Sequence, residues 1–118
     1  EDNKRFFFNK KKAAFRTGFA QSDQWDDKNV GTYSMALGRN TVASGYHATA
    51  FGLSTLSDGW YTTAMGQGNI SESHSETALG RYNTQNNALI AVVNGNPTTT
   101  WSSLAMEQEV ALLVEVMP

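Results

Sequence analysis

Residues 31–86 divide without insertion into four consecutive units of fourteen: GTYSMALGRNTVAS (31–44), GYHATAFGLSTLSD (45–58), GWYTTAMGQGNISE (59–72) and SHSETALGRYNTQN (73–86). With each unit numbered 1 to 14, position 6 is always alanine: Ala36, Ala50, Ala64 and Ala78. Position 8 is always glycine: Gly38, Gly52, Gly66 and Gly80. Position 7 is always large and apolar: Leu37, Phe51, Met65 and Leu79. Position 1 is glycine three times (Gly31, Gly45, Gly59) and then Ser73. Self-similarity at a fixed period is the mark of a repeat architecture, and it limits the fold before any other feature is weighed.

Fourteen residues are too few for a strand–helix–strand unit but enough for two short strands and two turns. Each unit then forms one coil of a β-solenoid, with neighbouring coils about 4.8 Å apart through backbone hydrogen bonds. The glycines at positions 1 and 8 are expected where the chain turns, because glycine reaches positive φ without steric cost. Along positions 4–8 successive side chains alternate between faces. One face carries Ser34, Ala36, Gly38 and their equivalents, all small in the first coils, which suits the interior of a narrow roll. The opposite face carries Leu37, Phe51, Met65 and Leu79, an apolar row that one chain cannot cover. The pattern therefore implies an oligomer with this row between chains.

Ser34-Met35-Ala36-Leu37-Gly38 followed by Ala43-Ser44-Gly45 resembles the SxAxGxxxxAxG repeat of YadA-like heads in trimeric autotransporter adhesins, whose relatives occur in phage-type and other trimeric fibres. The resemblance covers 31–86, with departures at Ala48 and Glu76 (position 4) and at Ser73. It implies an all-β, left-handed parallel β-roll of about four coils, three chains packed about a common axis, with short capping strands at both ends.

The flanks leave the repeat. Lys4 to Phe8 and Ala13 to Gly18 read as two short strands separated by the basic run Asn9 to Lys12, and Trp25-Asp26-Asp27 leads into the first coil. An open solenoid needs its exposed strand edges covered, so 1–30 is expected to be an N-terminal cap. The KxAFRxG-then-WDD arrangement also resembles lead-ins to such heads in bacterial fibre proteins. The Lys10-Lys11-Lys12 cluster reads as a solvated hairpin tip, with an anion-binding patch as the alternative. Residues 87–118 are expected to be a C-terminal cap or a connector to a stalk. Ala88 to Val93 is a strand candidate ending at the turn signal Asn94-Gly95-Asn96-Pro97. In 102–118, Met106, Val110, Leu113 and Met117 have coiled-coil spacing, whereas the run Val110 to Val114 suits a strand, the reading we favour.

Composition closes off several function classes. The net charge of −2 gives no reason to expect nucleic acid or an anionic membrane as partner. There are no cysteines and only two histidines, His47 and His74, at different repeat positions, so no metal site or cofactor is implied. No HExxH, Gly-x-Ser-x-Gly, P-loop or Rossmann pattern occurs, and the chain does not read as an enzyme. No apolar run approaches the ~20 residues that span a bilayer, so an anchor is expected outside this sequence, as for an exported fibre at the cell surface. An ice-binding solenoid would want paired threonine ladders. Positions 5 (Met35, Thr49, Thr63, Thr77) and 11 (Thr41, Thr55, Asn69, Asn83) do not supply them.

Positions 2 and 3 read Thr32-Tyr33, Tyr46-His47, Trp60-Tyr61 and His74-Ser75. Aromatic residues thus recur at one corner of successive coils. They suit either mutual packing or a binding strip for a surface glycan or extracellular protein, since flat rings with polar tips give large contact area at low entropy cost. Tyr33, Tyr46, His47, Trp60 and Tyr61 are the candidate ligand residues. Position 12 (Val42, Leu56, Ile70) is a second apolar row suited to an interface or to the interior. The function expected is attachment through a trimeric fibre head. The alternative is a structural spacer or phage-type tail-fibre segment with no ligand of its own.

Overall fold

The computed structural model describes residues 3–84 and 90–95. Among them the fold is all β, with one 3-10 turn at Asp27–Asn29 and no α-helix. Strands β1 (Lys4–Asn9) and β2 (Ala14–Phe19) form an antiparallel hairpin. Each of the first three repeats then contributes a five-residue strand, a tight turn and a two-residue strand. These are β3 (Met35–Arg39) with β4 (Val42–Ala43), β5 (Thr49–Leu53) with β6 (Leu56–Ser57), and β7 (Thr63–Gln67) with β8 (Ile70–Ser71). Then follow β9 (Thr77–Arg81) and β10 (Ile90–Asn94). The long strands make one sheet in the order β1-β2-β3-β5-β7-β9-β10, and the short ones a second sheet, β4-β6-β8. From β2 onward every neighbouring pair is parallel.

The register is the repeat itself. Ala36 pairs with Ala50, Ala50 with Ala64 and Ala64 with Ala78, and the position-8 glycines pair likewise. Hydrogen bonds run from coil to coil at the strands (Thr49 N–H to Thr62 O, 2.9 Å) and equally at the turns (Tyr61 N–H to Tyr46 O, 2.8 Å). The interior holds Ala36, Ala50, Ala64 and Ala78 at position 6, all with zero exposure. With them lie Ser34, Ala48, Thr62 and Glu76 at position 4, Thr41, Thr55, Asn69 and Asn83 at position 11, and Ala43, Ser57 and Ser71 at position 13. Two strands back to back this closely leave no room for leucine. The enclosed hydroxyls answer one another instead: Ser57 Oγ lies 2.7 Å from Thr62 Oγ1, which donates to Gly59 O at 2.7 Å. Burying position 11 also removes the threonine row that an ice-binding surface would have used.

The position-1 glycines act differently from the sequence expectation, whereas Gly38, Gly52, Gly66 and Gly80 at position 8 do take positive φ. Positive φ at the turns falls on positions 3 and 10: Tyr33, His47, Tyr61 and Ser75 at one, Asn40, Ser54, Gly68 and Tyr82 at the other. There the left-handed conformation turns the N–H along the solenoid axis, so it donates to the previous coil, as from His47 to Thr32 O at 2.9 Å. Position-1 glycine has no positive φ and is required by proximity. A Cβ on Gly45 would lie 2.0 Å from Gly59 O. Gly52 at position 8 has both constraints, φ +119° and a Cβ that would lie 2.0 Å from Gly66 O. It is also exposed, so the small face expected to line the roll ends at position 6.

The parallel stack outruns the 31–86 block. β2 lies in coil register on β3, with Gly18 opposite Gly38 and Arg16 opposite Ala36. β10 does the same on β9, placing buried Ala91 opposite Ala78. Arg16 therefore enters the roll's interior at its end. Its guanidinium donates to Ser34 Oγ and to the carbonyls of Ala43 and Phe15, each at 2.9 Å. Burial lowers its pKa to about 10, which leaves it charged at neutral pH. Beside it the buried Trp25 donates its indole N–H to Thr41 O at 2.9 Å, and Phe7 packs edge-on against that ring. The readings for Asn96-Pro97 and for 102–118 lie outside the described residues.

Two substitutions test this packing. Ala64→Leu should lower stability by roughly 1–3 kcal/mol through overpacking. Gly45→Ala should cost at least as much although its φ suits alanine. A Gly45→Ala protein that melts like the parent would show that coil spacing does not fix position 1.

Candidate functional site

Two surfaces carry the expected site residues. The first is the corner at positions 2 and 3. The left-handed backbone at Tyr33, His47 and Tyr61 points their side chains the same way on successive coils, and the rings stack. His47 lies between Tyr33 (centroids 4.9 Å, planes 23° apart) and Tyr61 (5.2 Å, 13°). Tyr46 is the hub, touching Tyr33, His47, Trp60 and Tyr61 at 4.4–5.9 Å. His74 continues the column 5.4 Å from Tyr61 and lies 3.0 Å from Ser75 Oγ. All five ligand candidates are thus brought together, but most of their ring faces are used on one another. Trp60 differs. It is 60% exposed, and among the rings of the described residues it meets only Tyr46, at a 52° tilt. Asp58 and Glu72, both exposed, occupy position 14 beside this corner, and Ser44 Oγ donates to Asp58 at 2.5 Å.

The second surface is the outer face of the seven-stranded sheet. Leu37, Phe51, Met65 and Leu79 are directly paired across neighbouring strands. Each is half-buried, since its row neighbours cover part of it. The row continues onto the flanking strands, which the repeat pattern does not reveal. Val92 pairs with Leu79 at one end, and Thr17, paired with Phe6, adjoins Leu37 at the other. Phe6 is 78% exposed and Val92 39%. Position 12 (Val42, Leu56, Ile70) is half-buried on the outside of the short sheet, which excludes the interior reading for it.

Two interior charges were not foreseen as functional or structural. Arg16 is legible only when 14–18 is aligned beneath Ser34 to Gly38, where the shared glycine marks the register. Glu76 fills the interior position of Ser34 and Thr62. Its Oε2 accepts from Ser73 N–H at 2.9 Å and from Glu72 N–H at 3.3 Å, while Oε1 has no partner. Burial is the main cause that raises its pKa above the ordinary 4.5, against the lowering effect of those two backbone bonds. Among the described residues no group of three His, Cys, Asp or Glu could hold a metal ion, and no helix is long and apolar enough to cross a membrane.

Residues 30–55 match the YadA head domain repeat in two copies. Over these residues the chain is similar to a YadA-type head. Such heads are homotrimeric adhesin-type fibre domains, a structural class and not an enzyme family. Neither the curated proteins nor the solved structures give a significant match to the chain.

Glu76 gives the head a pH dependence with a definite sign. A raised carboxyl pKa means the folded state holds its proton where the unfolded chain has lost it. The stabilisation is complete below the ordinary carboxyl range and is lost as pH rises through the folded value. Glu76→Gln should flatten that fall and melt higher than the parent at pH 7. Parallel melting curves for the two proteins across pH 4–8 would contradict it.

Proposed function

We propose that this chain is the head of a surface-exposed homotrimeric fibre that attaches its bearer to a host, matrix or prey surface. Three left-handed rolls pack with Leu37, Phe51, Met65 and Leu79 towards the common axis. The hairpin β1–β2 and strand β10 close the two ends of each roll's parallel stack. The observation that carries the assembly is the continuous apolar row, unbroken over the coils and still open to water in one chain. Rows of this kind on a soluble protein mark a surface covered by a partner.

Attachment is assigned to the corner of Tyr33, Tyr46, His47, Trp60 and Tyr61, with Trp60 as its principal contact. The mutually packed rings form a rigid base, and the tryptophan face left over suits a glycan or an extracellular protein. A pure spacer has no need of a tryptophan exposed beyond the packing of its neighbours. Three such corners on one rigid trimer would also convert weak single-site binding into avidity of roughly 10²–10⁴-fold.

Two variants separate assembly from attachment. Phe51→Asp should dissociate or unfold the trimer, because it places a carboxylate without a partner in an apolar seam. Light scattering that shows a stable trimer would move the seam elsewhere. Trp60→Ala should change stability by only about 1 kcal/mol, and should abolish retention on a glycan and extracellular-matrix array probed with the purified trimer. Equal retention of parent and variant would favour the spacer.

A further inference from the structure

The seven-stranded sheet ends at β1, which has β2 as its only neighbour among the described residues. Parity shows which of its main-chain groups are left over. Ala20 N–H donates to Asn3 O at 3.2 Å, so these two are a hydrogen-bonded pair of the antiparallel ladder. The register makes Arg5 with Gly18 and Phe7 with Arg16 the next such pairs. Phe6 and Phe8 fall between them and direct their N–H and C=O groups away from β2, along the solenoid axis. Phe15, opposite Phe8, agrees from the other side, since its N–H is directed towards β3 and donates to Ser34 O at 3.0 Å.

Sheet edges are normally blunted by proline, a bulge or a central charge. β1 has six residues in unbroken register with Phe6-Phe7-Phe8 in their midst. Phe6 is 78% exposed and Phe8 57%. The sequence around this edge is complementary to itself. Folded back on Phe6, residues 1–11 place Arg5 against Phe7, Lys4 against Phe8, Asn3 against Asn9, Asp2 against Lys10 and Glu1 against Lys11. Acids precede the strand and exposed lysines follow it, so an antiparallel copy sets each charge beside its opposite. A parallel copy would set lysine on lysine. Lys12 takes no part, because Asp27 of its own chain holds it at 3.2 Å. Lys10 and Lys11 have no ion pair among the described residues. Hydrogen bonding asks for the same register, since residues facing the open edge must oppose one another, and centring on Phe6 sets Phe6 on Phe6 and Phe8 on Lys4.

We infer that β1 is a self-recognition edge, through which two copies of this chain join as an antiparallel strand pair centred on Phe6. The partner is a second β1 because the other edge strand, β10, carries no charge to answer Lys10 and Lys11. The twofold axis is perpendicular to the sheet, so Phe6 stays on the outer face in both copies and the position-7 rows meet end to end. The edge points along the solenoid axis and therefore stays open when neighbouring chains cover that face. With three chains about one axis, as proposed above, three strand pairs form together and close a six-chain assembly; only this count rests on that reading. One strand pair is a small contact, and three acting together supply the avidity.

Sedimentation velocity of the purified full chain over a range of concentrations tests the pairing. A species of twice the mass of the smallest folded assembly is expected to grow with concentration and to recede as salt rises. Phe8→Pro removes an outward N–H that β2 does not use, so it should keep the smaller assembly and lose the doubled one. Charge reversal gives a second readout on residues outside the strand. Lys10→Glu with Lys11→Glu, and separately Glu1→Lys with Asp2→Lys, should each lose the doubled species, and mixing the two variants should restore it. Doubling from one chain to two would support the pairing and remove the trimer. A trimer that never doubles would do the reverse. Doubling that survives Phe8→Pro, or a mixture of charge variants that stays unpaired, would overturn the inference. So would open-ended growth, the sign of β1 meeting β10 of another copy.

Discussion

The axial hydrogen bond between one coil and the next governs this structure. It holds equivalent residues about 4.8 Å apart, closer than most side-chain pairs can tolerate when they point along the axis. Position 1 in the first three coils, Gly31, Gly45 and Gly59, must then be glycine because the next coil's backbone occupies the place of its Cβ. The turns at positions 3 and 10 must be left-handed, because only that conformation directs their N–H groups at the coil before. Each such non-glycine residue costs roughly 1–2 kcal/mol, which the turn's own axial bond and ring stacking help to offset. In-register stacking also turns each position into a row. A single residue type chosen at position 7 becomes a ridge, and one chosen at position 3 becomes a column of rings.

The same constraint makes the interior poor in apolar area. Alanine, serine, threonine and asparagine fill it, and burial of alanine contributes far less than burial of leucine would. Hydrogen bonds take up the polar remainder: Asn69 Nδ2 donates to Gly80 O at 2.8 Å, and its Oδ1 accepts from Asn83 N–H at 2.8 Å. A roll built this way has its bulky side chains outside, so much of the apolar burial open to it lies in the proposed assembly. The two ends of the interior are handled by charge. Arg16 closes one, its two terminal nitrogens donating to Ser34 and two carbonyls. Glu76, in the last coil of the repeat block, takes two backbone N–H groups that a serine could not reach together.

Much of this was legible in the sequence, because a four-fold repeat averages out the noise of single residues. The parity of positions 6 and 7 gave the inward and outward faces without ambiguity, and the strands lie where the period put them. What was not legible has a common cause: features set by contact between coils leave no mark within one coil. Nothing in Tyr33, His47 or Tyr61 announces positive φ, a conformation that aromatic residues seldom take. Glycine at position 1 looked like a turn signal because torsional freedom is the commoner reason for glycine, and the approach of Gly59 to Gly45 becomes visible only in the stack. β2 escaped recognition as a coil strand because Arg16 replaces the invariant alanine, although Gly18 kept the register. The continuation of the apolar row into Phe6 requires knowing that β1 returns antiparallel on β2.

The geometry also bears on whether the proposed assembly and the proposed attachment are compatible in one short chain. Row 7 lies in mid-strand on the sheet face, while the aromatic column lies at the corner before each strand begins. Packing chains along the first need not bury the second. The column is ordered by its geometry: a left-handed backbone at position 3 admits few side-chain directions, and the stacked rings of Tyr33, His47 and Tyr61 restrict them further. Rings already ordered in the free protein lose little entropy when a partner arrives. Trp60, resting on Tyr46 and otherwise open, therefore stands on a support arranged before binding. A mobile tryptophan on a loop would have to be ordered by its ligand, and the weak single contacts of a fibre surface leave little energy for that.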